Sequence, residues 1–241
     1  MKATIQETLD RAVSALQREL GENLYSCCVY GSAVRGNAIE GVSDVNVLIL
    51  LNQSIPAAHQ GVANAIGGLS EIDPFVLGRH GFERSLRAFA TKFESIKRNY
   101  RVLAGADPLA GLKVDPDLEK FLCEQALRNL RLRLIYSFVT RARHTAYDRY
   151  VLNNITPLFI QFSEVLRLNG LAIPTAFGDR IPIFEREFKV DGAMLCDLLA
   201  LKNSPHRFSE AENISWHERL FPAIDTVLLW IEQHWPANII Q

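Results

Sequence analysis

The stretch from residue 31 to residue 50 is the most informative part of this chain. Residues 31–36 read Gly-Ser-Ala-Val-Arg-Gly, and residues 43–50 read Ser-Asp-Val-Asn-Val-Leu-Ile-Leu. The second segment predicts a β-strand, because polar and apolar residues alternate from Asp44 to Val47 and an apolar run follows. Successive side chains of a strand point to opposite faces, so Asp44 and Asn46 would share one face. A glycine-containing loop therefore leads into a strand that begins with one acid and one amide.

The composition of the chain is that of an ordinary globular protein. Its 241 residues are 48% hydrophobic and 22% charged, with a formal net charge of −1, and they suffice for one large domain or two modest ones. Proteins that coat nucleic acid are usually basic, so bulk nucleic-acid binding is disfavoured. The first residues lack a signal-peptide pattern, and the longest apolar runs are far too short for a membrane span. We therefore expect a cytoplasmic protein with no membrane partner.

The four cysteines show no pattern typical of a metal site. They lie at positions 27, 28, 123 and 196, and neither a CxxC pair nor a His/Cys ligand spacing is present. In a cytoplasmic protein such cysteines are expected to be reduced and mostly buried.

Strand and helix patterns alternate over the first half of the chain. Residues 4–20 have helical periodicity and end at Gly21, a natural helix stop. Strands are predicted at 24–30, 44–51, 73–77 and 89–96, followed by an edge strand from Arg101. Helices are predicted at 56–69 and 80–88.

Helical patterns alone fill the second half. The sequence Asp115-Pro116-Asp117 is a good helix start, and no strand pattern follows it. Helices are predicted at 118–143, 147–169, 192–202 and 215–234, with a loop at 173–182. We therefore expect an α+β protein with a small mixed-sheet domain at 1–114 and an all-helical bundle at 115–241.

The motif at 31–50 resembles the signature of the nucleotidyltransferase superfamily. That signature has Gly-Ser, a few residues and a glycine, then Ser-Asp-x-Asp before an apolar strand. Five residues of this chain fit it: Gly31, Ser32, Gly36, Ser43 and Asp44. A small α/β domain followed by a helical bundle is also the plan of the antibiotic nucleotidyltransferases, such as the kanamycin and streptomycin enzymes. For the helical half the resemblance is only architectural.

The resemblance implies transfer of a nucleoside monophosphate from a nucleoside triphosphate to a small-molecule or protein acceptor. Two Mg²⁺ ions would clamp the attacking and leaving oxygens, and carboxylates would hold these ions. The glycine-rich half of the motif would bind the phosphates. Its candidate phosphate-binding residues are Gly31, Ser32, Arg35, Gly36 and Ser43.

The metal half of the signature is incomplete in this chain. Asp44 is the main candidate metal ligand, and Asn46 stands where the signature has its second acid. A third acid is expected on a neighbouring strand, and related sequences are expected to read Phe-Pro-Ile-Glu-Phe within 89–96. Alignment on the flanking pattern puts Lys92 at that glutamate. Glu94 would share the face of Lys92 on a strand, so it is the candidate third acid if the strand is shifted.

Two functions follow from this pattern. In the first, the chain is a Mg²⁺-dependent nucleotidyltransferase in which Asp44, Asn46 and Glu94 form the catalytic set. In the second, it is a catalytically degenerate member in which Asn46 and Lys92 weaken the metal site. Such a chain would act as a nucleotide-binding or protein-interaction module, and its helical half could support a homodimer.

Overall fold

The computed structural model describes residues 3–35, 44–142 and 147–235. The chain divides into two compact units, Met1–Val114 and Asp115–Gln241. The first unit combines a β-sheet with helices, and the described part of the second contains helices but no strand. The predicted α+β class is therefore confirmed.

The first unit is built on one mixed sheet. Its described strands are β1 (Leu24–Tyr30), β2 (Val45–Leu51), β3 (Ile72–Gly78) and β4 (Tyr100–Gly105). Its described helices are α1 (Ala3–Leu20), α2 (Ser32–Arg35), α3 (Pro56–Ile66), α4 (Arg79–Ser85) and α5 (Ala90–Lys97). The strand order is β3-β2-β1-β4, in which β1 is antiparallel to β2 and β4 while β2 and β3 are parallel.

Helices cover both faces of this sheet. One face packs against α1 and α3, and Cys27 lies in that core. The other face packs against Phe82 of α4 and Phe93 of α5, and Cys28 lies in that core. The adjacent cysteines thus point to opposite faces, as strand alternation predicts. Burial of both faces explains why β2 is apolar along nearly its whole length.

The strand predicted at residues 89–96 is wrong, because α5 occupies this segment. Phe89, Phe93 and Ile96 recur at intervals of four and three residues, which is the spacing of one helix face. Phe93 and Ile96 are buried against the sheet. The edge strand predicted from Arg101 is present as β4, which begins at Tyr100.

The second unit is an assembly of helices. Its described helices are α6 (Pro116–Val139), α7 (Tyr147–Leu168), α8 (Ile181–Phe188), α9 (Gly192–Asn203) and α10 (Glu210–His234). They bury one apolar core that includes Phe159, Phe162 and Phe184. Among the residues that the structure describes, no helix is both long enough and apolar enough to cross a bilayer.

Helix caps explain where the predicted boundaries held and where they failed. The Asp115 carboxylate accepts a hydrogen bond from the Asp117 backbone N–H at 3.0 Å, so α6 starts where the sequence indicated. Helix α8 begins within the last two residues of the loop predicted at 173–182, because Pro182 lies in a first helical turn, where proline is well tolerated. Helix α10 starts earlier than predicted because Ser209 and Glu212 form a reciprocal capping box.

Candidate functional site

Three strands bring polar side chains together at one end of the sheet. The C-terminal end of β1, at Tyr30, lies beside the N-terminal ends of β2 and β3. Tyr30 is paired with Asn46, and Asn46 is paired with Asp73. Neighbouring strands lie about 4.8 Å apart, so these three residues form a row across the sheet. The row lies on the face that packs against α4 and α5, since Tyr30 belongs to that core.

The Gly31 turn adjoins this row. Gly31 has a φ of 79°, in the left-handed region that favours glycine. Its N–H donates to the Asn99 carbonyl at 3.0 Å, and α2 begins at the next residue, Ser32, which is half-buried. A Cβ at Gly31 would lie 3.8 Å from Asn46 Nδ2. The glycine half and the polar half of the motif are therefore adjacent in space.

Part of the predicted phosphate-binding set lies outside the described residues. Helix α2 ends at Arg35, whereas Gly36 and Ser43 fall in the segment that the structure does not describe. The phosphate-binding roles of all five residues, Gly31, Ser32, Arg35, Gly36 and Ser43, therefore stay predictions.

The two candidate ligands from β2 differ in exposure. Asp44 immediately precedes the strand and is exposed, while Asn46 is half-buried. Asn46 Nδ2 donates to the Asp44 backbone carbonyl at 3.5 Å, the long limit of a hydrogen bond. The start of β2 is held to β3 by the Val45 N–H, which donates to the Glu71 carbonyl at 2.7 Å. The Asp44 carboxylate is thus accessible to a ligand from solvent.

Asp73 is a candidate site residue that the sequence analysis missed. It lies at the start of β3, directly across from Asn46, and its side chain is on the same face of the sheet. The polar start of the predicted strand at 73–77 was the available signal. The pairing with Asn46 could not be deduced from it, because α3 separates the two strands and leaves their register open.

Helix α5 places Lys92 over the row and turns Glu94 away. Lys92 Nζ lies 5.2 Å from the Tyr30 ring centroid and 5.6 Å from that of Phe75. Glu94 follows two residues later, which is about 200° around a helix. The prediction that Glu94 shares the face of Lys92 is therefore wrong, because it assumed a strand. Lys92 is therefore the residue of α5 that places a charge near Tyr30 and Phe75.

Burial and the Asp73 carboxylate shift the pKa values of Tyr30 and Lys92. Burial raises the pKa of Tyr30 to about 12, and the negative charge of Asp73 adds to this effect. Lys92 is solvent-accessible as a residue, yet surrounding protein atoms desolvate its ammonium group and lower its pKa. The nearby Asp73 carboxylate opposes that shift. Asp73 therefore lies close enough to Lys92 for its negative charge to affect the pKa of the lysine.

These residues do not fit a pair of Mg²⁺ ions. Asp44 and Asp73 supply two carboxylates, Asn46 supplies a neutral amide, and Lys92 adds a positive charge. Within residues 3–35, 44–142 and 147–235, no three His, Cys, Asp or Glu side chains cluster as a metal site. Two Mg²⁺ would bring four positive charges to a set with a single net negative charge. The donor set thus disagrees with the two-metal site that the resemblance implies.

Comparison with known proteins identifies the fold. No protein-family model and no curated protein matches this chain. Among solved structures, the chain is similar to spectinomycin adenyltransferase AAD(9) from Enterococcus faecialis, whose crystal structure contains ATP and spectinomycin. The sequence identity is 13% and the TM-score is 0.58, over 94% of this chain and 99% of that chain. The chain therefore has the fold of an antibiotic nucleotidyltransferase, as the resemblance predicted.

Proposed function

We propose that this chain binds a nucleoside triphosphate beside the Gly31 turn but does not catalyse nucleotidyl transfer through two metal ions. The observation that carries this proposal is the position of Lys92. Its ammonium group lies over the row that contains Asn46, where the resemblance implies carboxylates that hold Mg²⁺. A positive charge at this point repels metal ions and attracts phosphate.

Two features support nucleotide binding. The structural neighbour was solved with ATP, so ATP is the first nucleotide to test. The Gly31 turn leads directly into Ser32, and because glycine has no Cβ the approach to the main chain at this turn is open. A phosphate group at this turn would be close to the side-chain amide of Asn46.

The helical unit would then supply an interaction surface. Leu132, Tyr136 and Val139 follow one another at helical spacing on α6, and all three are exposed. An exposed apolar ridge of this kind is typical of protein–protein contacts. A nucleotide-dependent contact with a protein partner, or with a second copy of this chain, is the proposed output of the module.

A second candidate function is retained because of Asp73. With Asp44 it provides two carboxylates beside Asn46, which could hold one Mg²⁺ if Lys92 moved aside. The chain would then transfer a nucleoside monophosphate to a small-molecule or protein acceptor, and spectinomycin is the first acceptor to test because the neighbour's structure contains it. Mg²⁺-dependent transfer of label from α-labelled ATP, lost in both Asp44→Ala and Asp73→Ala, would support this candidate.

ATP is expected to raise the thermal unfolding midpoint of the wild-type chain, and Gly31→Ala is expected to remove most of that increase. A ligand present at a hundred times its Kd adds about 2.7 kcal/mol of stability. Alanine at a φ of 79° costs about 1–2 kcal/mol, and relief of that strain would displace the turn. Differential scanning fluorimetry with and without ATP measures both effects.

Gly68→Ala is the matched control, since a Cβ at Gly68 would meet nothing within 4 Å. This variant should respond to ATP as the wild type does. A Gly31→Ala variant with an undiminished ATP response would remove the turn from the proposed site. A wild type that does not respond to millimolar ATP would refute nucleotide binding.

A further inference from the structure

Two aromatic rings fix the position of the Lys92 ammonium group. Its Nζ lies 5.2 Å from the Tyr30 ring centroid and 5.6 Å from the Phe75 ring centroid. Tyr30 belongs to β1 and Phe75 belongs to β3, and these strands flank β2 on its two sides. A group close to both rings must therefore lie over β2.

The strand register shows which part of β2 lies beneath it. Tyr30 is paired with Asn46, and Phe75 is paired with Leu48. Asn46 is the polar residue of β2, whose other residues are apolar. The lysine charge therefore lies over the face of the sheet that carries Asn46, the position where the signature has its second acid.

The donors of Lys92 are uncommitted within the described part of the chain. Across residues 3–35, 44–142 and 147–235 the structure gives this side chain two ring contacts and the field of Asp73, but no hydrogen bond or salt bridge. An ammonium group has three N–H donors. By contrast, Lys97 on the same helix donates to the Leu112 backbone carbonyl. Lys92 is therefore equipped to bind an anionic ligand.

We propose that the Lys92 ammonium group takes the place of a divalent metal ion and binds the triphosphate of the nucleotide directly. This inference rests on the proposed nucleotide-binding function. Lysine is a well-established phosphate ligand, acting as a point charge. The Asn46 amide suits the same role, because its N–H groups can donate to a phosphate oxygen that an aspartate would repel. Together the two residues make nucleotide binding independent of Mg²⁺.

Lys92→Met tests the inference, because methionine retains an unbranched apolar side chain but removes the charge. Binding of a fluorescent ATP analogue is followed by polarisation in EDTA, where no divalent ion is available. The affinity is expected to fall about ten- to a hundredfold, the range for loss of a charge-assisted hydrogen bond. Far-UV circular dichroism and a thermal melt establish that the variant is folded.

Lys113→Met is the matched control, since Lys113 lies in the same unit and is exposed; it should bind as the wild type does. Equal affinities of Lys92→Met and wild type in EDTA would overturn the inference. Binding by the wild type only when Mg²⁺ is added would also overturn it, while nucleotide binding itself would stand. Absence of binding both with Mg²⁺ and in EDTA would refute the proposed function instead.

Discussion

Gly105→Ala is expected to destabilise the α/β unit by about 2–5 kcal/mol. Gly105 ends β4 with a φ of 77°, and a Cβ there would lie 2.2 Å from the Tyr25 carbonyl oxygen. That carbonyl cannot easily retreat, because it accepts a hydrogen bond from the Ala106 N–H at 3.1 Å. The backbone must therefore shift at the point where β4 joins the sheet.

Urea denaturation followed by far-UV circular dichroism measures the loss of stability. Tryptophan fluorescence would report a different unit, because Trp216, Trp230 and Trp235 all lie in the helical half. Gly111→Ala is the control: a Cβ at Gly111 would meet nothing within 4 Å, so its midpoint should stay near that of the wild type. An unchanged midpoint for Gly105→Ala would show that β4 does not approach β1 this closely.

The double variant N46D/K92E is expected to bind a divalent ion at least about tenfold more tightly than the wild type, because it restores two carboxylates beside Asp44 and Asp73. It removes the positive charge over β2 and replaces the neutral amide with an acid. Without metal, the crowded carboxylates should repel one another and lower the thermal midpoint. Added Mn²⁺ should then raise the midpoint in the double variant and leave the wild type unchanged.

Mn²⁺ titration followed by electron paramagnetic resonance measures the affinity directly, and the two single variants complete a double-mutant cycle. Each single change should give a smaller gain than the pair, since either one leaves the site short of a carboxylate. Wild type and double variant with the same Mn²⁺ affinity would contradict the position assigned to Lys92 over β2.

The fold was predictable where local signals and long-range packing agree. The pattern at 31–50 led to the nucleotidyltransferase fold, and β2 follows directly from its run of apolar residues. The strand predicted at 89–96 was wrong because the spacing of Phe89, Phe93 and Ile96 fits one face of a helix, which α5 forms. That error also put Glu94 on the wrong side, since residues two apart share a face on a strand but oppose each other on a helix.

The site was harder to predict because its composition depends on strand register. Asp73 joins the site only through its pairing with Asn46, and that pairing is set by how α3 returns the chain to the sheet. The position of Lys92 depends on α5 packing over Tyr30 and Phe75. Neither contact produces a recognisable spacing in the sequence. The missing acid at Asn46 was therefore visible from the sequence, whereas the proximity of Lys92 to Asp73 was not.

The central claim is that the chain binds a nucleoside triphosphate without a two-metal site. Isothermal titration calorimetry of ATP into the wild-type chain, once in excess Mg²⁺ and once in EDTA, tests it most directly. We expect binding under both conditions, with affinities that agree within about threefold, a difference below 1 kcal/mol. Binding that appears only with Mg²⁺ and is lost in Asp44→Ala would contradict the claim and restore the metal-dependent transferase.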